Sequence, residues 1–147
     1  MLWALGVVAE VLMFLGMSRI LTRFSLRRVL LASFLLAALR WLLLGSFAEY
    51  FWVLLLAQVM HAATFGSFHA AAIAFVQRSF GAKQQGQGQA LYAALAGTGG
   101  ALGALYSGYS WNLLGPTLTF SIASVAALAA AVIIGLRLQE QNQGTLQ

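Results

Sequence analysis

Charged residues and cysteine are what this sequence has least of. Only 7% of its 147 residues are charged and 61% are hydrophobic, whereas soluble domains carry about 25% charged residues. A soluble fold of this size could not cover so much apolar surface, so lipid must be the solvent. The absence of cysteine excludes disulfides and thiolate metal sites. The first residues, MLWALGVVAE, have no basic segment and no small-residue cleavage site, so a secretory signal is not expected there.

Long apolar runs account for most of the chain. A spanning helix needs about 20 mostly apolar residues, and the runs that meet or approach this length are 2–17, 29–47, 51–76, 89–111 and 117–136. They are too long for strands and lack the alternating pattern of a membrane barrel. The sequence therefore predicts an all-α integral membrane protein of about five transmembrane helices. Its transmembrane domain is expected at 1–138 and a polar cytoplasmic tail at 139–147.

Basic residues are distributed asymmetrically between these runs. Seven of the eight lie between the first and second runs, between the third and fourth, or after the fifth, and the exception is Arg40. The positive-inside rule makes that side cytoplasmic, so the N-terminus is predicted outside and the C-terminus inside a cell (inner) membrane. Because this clustering explains the net charge of +5, nucleic acid is not expected as a partner.

Glu10 and Arg40 are ionisable residues inside apolar runs, where insertion scales assign each a cost of about 2.5–3.5 kcal/mol. Counted from the arginine-rich connection at 1.5 Å per residue, they lie at similar depths, roughly 20 and 18 Å. A pair across the first two helices is therefore geometrically possible. It is either a satisfied ion pair or a functional one, in which one member acts as a proton site or as an anchor for a substrate carboxylate.

One helical face of the third run carries polar and aromatic side chains. At 100° per residue, four of them fall within about 80° of one another, and these are Gln58, His61, Phe65 and His69. They could line a polar pathway, and histidine suits proton coupling. Alternatively, each histidine hydrogen-bonds a neighbouring helix. Two histidines without acidic partners make a poor metal site, so no metal and no cofactor is expected.

Small residues recur every four positions in the fourth run. They form two neighbouring ridges, one with Gly100 and Gly108 and the other with Gly99 and Gly103. Such spacing lets helix backbones approach closely in lipid. We interpret this face as a helix-packing surface, either for ordinary tight packing or for helices that slide during gating.

The connection SRILTRFSLRR resembles the G-x-x-x-D-R-x-G-R-R loop of the major facilitator superfamily. Its matches to the family's basic positions are Arg23, Arg27 and Arg28. Its departures from the family's Gly, Asp and Gly are Ser18, Thr22 and Ser25, which suits the degenerate copy after the eighth helix. The segments WALGVVAEVLMF, HAATFGSFHAAAIAFVQ and GQALYAALAGTGGALGALYSG are similar to the phenylpropionate permease branch of that superfamily.

This resemblance covers nearly the whole chain as helices eight to twelve, with helices one to seven absent. It implies a proton-coupled symporter, not an enzyme, for an aromatic or other small organic acid such as a phenylpropionate. The implied partners are the lipid bilayer, the acid substrate, protons and the missing N-terminal helices. The alternative is a five-span membrane scaffold or membrane enzyme that is complete in itself.

Two single-cysteine variants test the topology. Ser25→Cys adds a thiol to the arginine-rich connection, and Glu49→Cys adds one to a connection without Lys or Arg, in a chain that has no cysteine of its own. In intact cells, we expect a membrane-impermeant thiol reagent to label Glu49→Cys and not Ser25→Cys. Labelling of Ser25→Cys from outside would mean that the orientation is opposite to the predicted one.

Overall fold

The computed structural model describes residues 2–138, and every regular element in that range is helical. The elements are α1 (Leu2–Arg23), α2 (Leu26–Phe47), α3 (Phe51–Ser79), a short 3₁₀ turn (Ala82–Gln84) and α4 (Gln85–Arg137). All four α-helices are long and apolar enough to cross a membrane. The predicted all-α membrane fold is therefore confirmed. The tail predicted at 139–147 lies outside the described residues.

Two residues, Phe24 and the extended Ser25, separate α1 from α2. Ser25 has φ −64° and ψ 150°, and its hydroxyl accepts a hydrogen bond from the backbone N–H of Arg28. Serine suits this position because its side chain can satisfy a backbone N–H that has no partner within the helix. The arginine-rich connection is therefore a tight turn between two long helices.

Helix α4 is two helices joined at Gly115. This residue has φ 77° and ψ 171°, a backbone conformation that glycine adopts easily and other residues rarely do. Pro116 follows it, and proline suits the first position of a helix because the N–H it lacks would have no helical partner there. The segments 85–114 and 116–137 are about 45 and 33 Å long at 1.5 Å per residue.

The two segments of α4 fold back on one another. The hydroxyl of Tyr106 donates a hydrogen bond to the carbonyl oxygen of Thr119 at 2.9 Å, although these residues would be about 20 Å apart in a straight helix. The rings of Trp111 and Phe120 also meet, with centroids 6.0 Å apart. Within the described residues, α4 therefore comprises two helical segments, which together with α1, α2 and α3 makes five long helical segments.

Helix α2 packs antiparallel to the segment 116–137. Three side chains of this interface donate hydrogen bonds to backbone carbonyl oxygens across it: Arg27 to Gly135, Ser124 to Ala38 and Thr117 to Gly45. From one contact to the next, the residue number on α2 rises by as much as the residue number on the segment 116–137 falls. The register of the two helices is therefore the same along the whole interface. A Cβ at Gly45 would lie 3.0 Å from the Phe120 Cβ, which explains why glycine is needed there.

Helix α3 lies between α1 and α2. On the α2 side, the rings of Phe34 and Phe68 are 5.3 Å apart, and the hydroxyls of Ser33 and Ser67 are 2.6 Å apart. On the α1 side, a Cβ at Gly66 would lie 3.2 Å from the Met13 side chain. Helices α1 and α2 thus both pack on α3 and only marginally on one another, while α2 also packs on α4.

The glycine-rich face of the segment 85–114 is open. A Cβ added at any of its four predicted packing positions would meet nothing within 4 Å, namely Gly99, Gly100, Gly103 and Gly108. Within the described residues, this face therefore has no helix packed against it. Its role in helix packing stays a prediction.

Gly115→Ala tests the bend. An alanine at this positive φ should destabilise the protein by about 1–3 kcal/mol, the cost of holding a side chain in a glycine-only region. The matched control is Gly86→Ala, because Gly86 is helical and a Cβ there meets nothing within 4 Å. We expect a lower midpoint of thermal unfolding in detergent for Gly115→Ala only. Equal midpoints for the two variants would contradict a required positive φ.

Candidate functional site

His61 connects the two spanning charges that the sequence singles out. Its Nε2 lies 3.3 Å from Oε1 of Glu10 on α1, and its Nδ1 lies 2.9 Å from Nη1 of Arg40 on α2. A polar chain therefore crosses three helices in the order α1, α3, α2. Arg40 is the most enclosed of these three residues, at 9% exposed. The side chains of His61 and Glu10 are 38% and 26% exposed.

The arginine fixes the tautomer of this histidine. A guanidinium can only donate hydrogen bonds, so Nδ1 of His61 must accept from Arg40. In the neutral imidazole, the proton is then on Nε2, which faces the carboxylate of Glu10 at 3.3 Å. The assignment makes Arg40 and Glu10 act on opposite sides of one neutral ring.

The direct pair between Glu10 and Arg40 that their depths allow is not formed among the described residues. The two side chains are bridged by His61 instead. The reason is the packing order, because α1 and α2 both lie against α3 and only marginally against each other. Counting depth along two helices could not show that a third helix stands between them.

Arg40 has one further contact and one unused donor. Its guanidinium carbon lies 4.1 Å from the ring centroid of Trp41, a cation–π contact. Within the described residues, its buried Nε has no hydrogen-bond partner. An arginine that is mostly enclosed by protein and keeps a spare donor is suited to binding an additional acceptor.

The face predicted on the third run forms a ladder of stacked rings. His61 and Phe65 have centroids 5.5 Å apart at an interplanar angle of 20°, and Phe65 and His69 are 5.9 Å apart at 14°. Their spacing of four residues brings these side chains onto one side of α3. The fourth predicted member, Gln58, lies one turn before His61, where its Oε1 would be 3.0 Å from a Cβ at Gly6.

Tyr92 is a site residue that the sequence analysis missed. Its hydroxyl is 2.7 Å from Nδ1 of His69, so it joins α3 to the segment 85–114. The ring of Phe14 packs edge-on against the same histidine at 6.3 Å. A phenol inside an otherwise Gly- and Ala-rich run was the available signal, but its partner depends on how the two helices cross.

A small cavity of about 160 Å³ lies between α2 and α3. Arg40, His61 and Thr64 contribute polar groups to its lining, and the rings come from Phe34, Phe65 and Phe68. An apolar cavity of about 150 Å³ can hold benzene. The cavity is therefore large enough for one aromatic ring, next to a buried guanidinium.

The loop residues lie away from this cavity, around the turn between α1 and α2. Thr22 donates a hydrogen bond to the carbonyl oxygen of Arg19, and Arg27 donates to Gly135 on the last segment. Ser18 and Arg23 are exposed on the last turns of α1. The structure thus divides the predicted residues between a buried network and a helix-connecting turn. Among residues 2–138, no group of three His, Asp or Glu side chains is arranged to hold a metal ion.

Long apolar helices that carry a charged network and line a ring-sized cavity define a polytopic membrane protein with a polar site between its helices. A family model described as the MFS_1 like family matches residues 1–122, so the chain belongs to that family. The resemblance to the major facilitator superfamily and to its phenylpropionate permease branch is confirmed.

A curated relative of the chain is the "Probable 3-phenylpropionic acid transporter" of Escherichia coli (strain K12). The two are 34% identical over 130 residues, which cover 85% of this chain and 33% of the relative. The chain thus spans about a third of the length of the curated relative it matches. No solved structure matches it.

The bridge through His61 predicts coupling between Glu10 and Arg40. Arg40→Gln alone leaves a carboxylate without its compensating charge, and Glu10→Gln alone leaves an uncompensated arginine, the state that is expensive when buried. The double variant should therefore be more stable than the sum of the single effects by about 0.5–3 kcal/mol. Thermal unfolding of purified protein in detergent measures this.

Two further variants serve as controls for this comparison of the single and double variants. Glu49→Gln, which removes an exposed carboxylate outside the network, should show no coupling to Arg40→Gln. Repeating the cycle in His61→Ala should abolish the coupling, because the bridge is then missing. Strictly additive effects in the presence of His61 would mean that the three groups do not act together.

Proposed function

We propose that this chain is part of a secondary transporter that carries a small aromatic acid together with a proton. The observation that carries the proposal is the position of Arg40 and His61 at a cavity of about 160 Å³ with three phenylalanine rings in its lining. Charged groups inside membrane helices are costly and mark substrate and ion pathways. A cation beside an aromatic pocket is complementary to an acid that has a ring.

Arg40 is the proposed anchor for the substrate carboxylate. Its guanidinium already donates to His61 and retains an unpartnered Nε within the described residues. Guanidinium groups bind carboxylates through paired hydrogen bonds. The phenylalanine rings would contact the apolar part of the same substrate.

His61 is the proposed proton site. While Arg40 donates to Nδ1, the imidazole stays neutral and its Nε2 proton is directed to Glu10. A substrate carboxylate that takes over the donors of Arg40 would free Nδ1 to accept a proton. The resulting imidazolium would be balanced by Glu10, so binding of the acid and uptake of a proton would be linked.

The second histidine is proposed to act in gating or proton release. His69 is about 12 Å further along α3 than His61 at 1.5 Å per residue, towards the end where Arg78 and Lys83 follow. Its hydrogen bond to Tyr92 is one of few contacts between α3 and the segment 85–114. Breaking it would let that segment move away from α3.

Support for the substrate class comes from the relative described as a phenylpropionic acid transporter. The proposal includes a cell (inner) membrane location with the arginine-rich turn in the cytoplasm. It also includes further N-terminal helices, since this family fold alternates access by rocking one helical half against the other. The open glycine face of the segment 85–114 is where such helices would pack.

His61→Asn tests the proposal in a chain that includes the N-terminal helices. Asparagine can keep a hydrogen bond but cannot titrate. We expect the KM for a phenylpropionate to rise about tenfold, because the acid then binds without the linked protonation of residue 61, a loss comparable to that of one hydrogen bond to a charged group. We also expect the pH dependence of uptake between about pH 5 and 8, where histidine titrates, to flatten. Uptake of labelled substrate into proteoliposomes measures both.

Three comparisons make the result specific. His69→Asn should lower the rate of uptake more than the affinity, Glu49→Gln should change neither, and the present chain alone should show no saturable uptake. Unchanged affinity and an unchanged pH profile in both histidine variants would mean that these residues serve only in helix packing. Saturable, proton-driven uptake by the present chain alone would remove the need for further helices.

A further inference from the structure

A groove of about 520 Å³ runs between α1 and α2. Met13 lines it from α1 and Phe24 from the turn after α1, Ala32 and Leu36 line it from α2, and Ala63 forms its floor on α3. It exists because α1 and α2 each pack on α3 and diverge from one another. Its volume falls in the range of ligand sites, about 300–1,000 Å³.

The polar atoms at the floor of this groove are already satisfied. The hydroxyl of Ser33 donates to the carbonyl oxygen of Val29, that of Ser67 donates to Ala63, and the two hydroxyls are in contact. Both serines are buried. The groove therefore offers apolar surface to an occupant rather than hydrogen bonds.

The length of the groove matches one leaflet of the bilayer. From Phe24, directly after α1, to Met13 on α1 it extends about 16 Å at the helical rise, and half of a 30 Å hydrocarbon core is about 15 Å. Beyond Met13, the space between α1 and α2 is crossed by the contacts of Glu10 and Arg40 with His61. A spanning helix would need the full depth, whereas an acyl chain of one leaflet needs only this half.

The mouth of the groove is strongly basic. Arg28 lines it, and the turn around it also carries Arg19, Arg23 and Arg27. Basic clusters at the end of membrane helices attract anionic lipid headgroups.

We propose that this groove binds an anionic glycerophospholipid, with its phosphate at Arg28 and one acyl chain between α1 and α2. The charge at the mouth selects the headgroup, and the apolar half-depth groove takes the chain. The lipid would come from the leaflet on the arginine-rich side. The inference does not depend on transport or on the substrate.

Lipid retention tests this in the purified chain and in a chain that includes the N-terminal helices. Each protein is equilibrated in detergent micelles with equal amounts of dioleoyl phosphatidylglycerol and dioleoyl phosphatidylcholine, repurified, and analysed for bound lipid by mass spectrometry. We expect preferential retention of phosphatidylglycerol. Arg28→Gln should reduce it about fivefold, the equivalent of one basic side chain at an anionic surface. Ala32→Phe, which fills the groove, should displace it.

Matched controls separate the groove from general attraction. Arg78→Gln removes one exposed charge, and Ala129→Phe adds a ring at an exposed position. Neither residue is among those that line the groove, so both variants should retain phosphatidylglycerol. Helicity and thermal midpoint confirm that each variant is folded.

Several outcomes would overturn the proposal. Equal retention of the two lipids would show that the groove has no headgroup preference. Equal losses of phosphatidylglycerol in Arg28→Gln and Arg78→Gln would show that retention depends only on the net charge of the protein. Unchanged retention in Ala32→Phe would exclude the groove. Retention by this chain but not by the longer one would mean that a protein helix fills the space.

Discussion

An arginine inside a lipid bilayer has to be hydrogen-bonded by its own protein, and here the imidazole of His61 provides that contact for Arg40. Because the same ring also reaches Glu10, one side chain on α3 engages both neighbouring helices. The order of the first three helices, the cavity beside the guanidinium and the groove on the other half of the bundle all follow from this central position of α3. A histidine suits the role because its two nitrogens can accept on one side and donate on the other.

Small hydroxyl side chains contribute to joining the remaining helices, beside ring contacts such as that of Trp41 on α2 with Phe120. Lipid is as apolar as leucine, so helices gain little from burying leucine against one another, and close packing with interhelical hydrogen bonds takes over. Ser124 and Thr117 each reach a backbone carbonyl of α2. Ser124 is also one of the least exposed residues of the described chain, at 1%. The exposed leucines and valines on the outer faces are what a lipid-facing surface requires.

Much of the fold follows from the sequence, because in a membrane the length of an apolar run and the position of arginines are direct physical constraints. Glycine followed by proline at Gly115 likewise indicates where one helix must end and the next begin. The shared face of His61, Phe65 and His69 follows from helical periodicity alone. The stacking of these rings agrees with it.

Contacts between helices are harder to predict, because they depend on rotation and crossing angle. Equal depth suggested that Glu10 and Arg40 meet, yet depth carries no information about which helix stands between them. The contact of Tyr92 with His69 and that of Ser33 with Ser67 were invisible for the same reason. Each needs two helices to be placed before either residue has a partner.

The junction at Gly115 has a consequence for how the last two passes enter the membrane. A single non-helical residue connects them, and the connection carries no Lys or Arg, so almost nothing polar has to be carried across the bilayer. Once Tyr106 reaches back to Thr119, the two segments form a closed hairpin whose backbone polar groups are largely satisfied before it meets lipid. These two segments can therefore enter a bilayer together as one unit, with Gly115 at its tip.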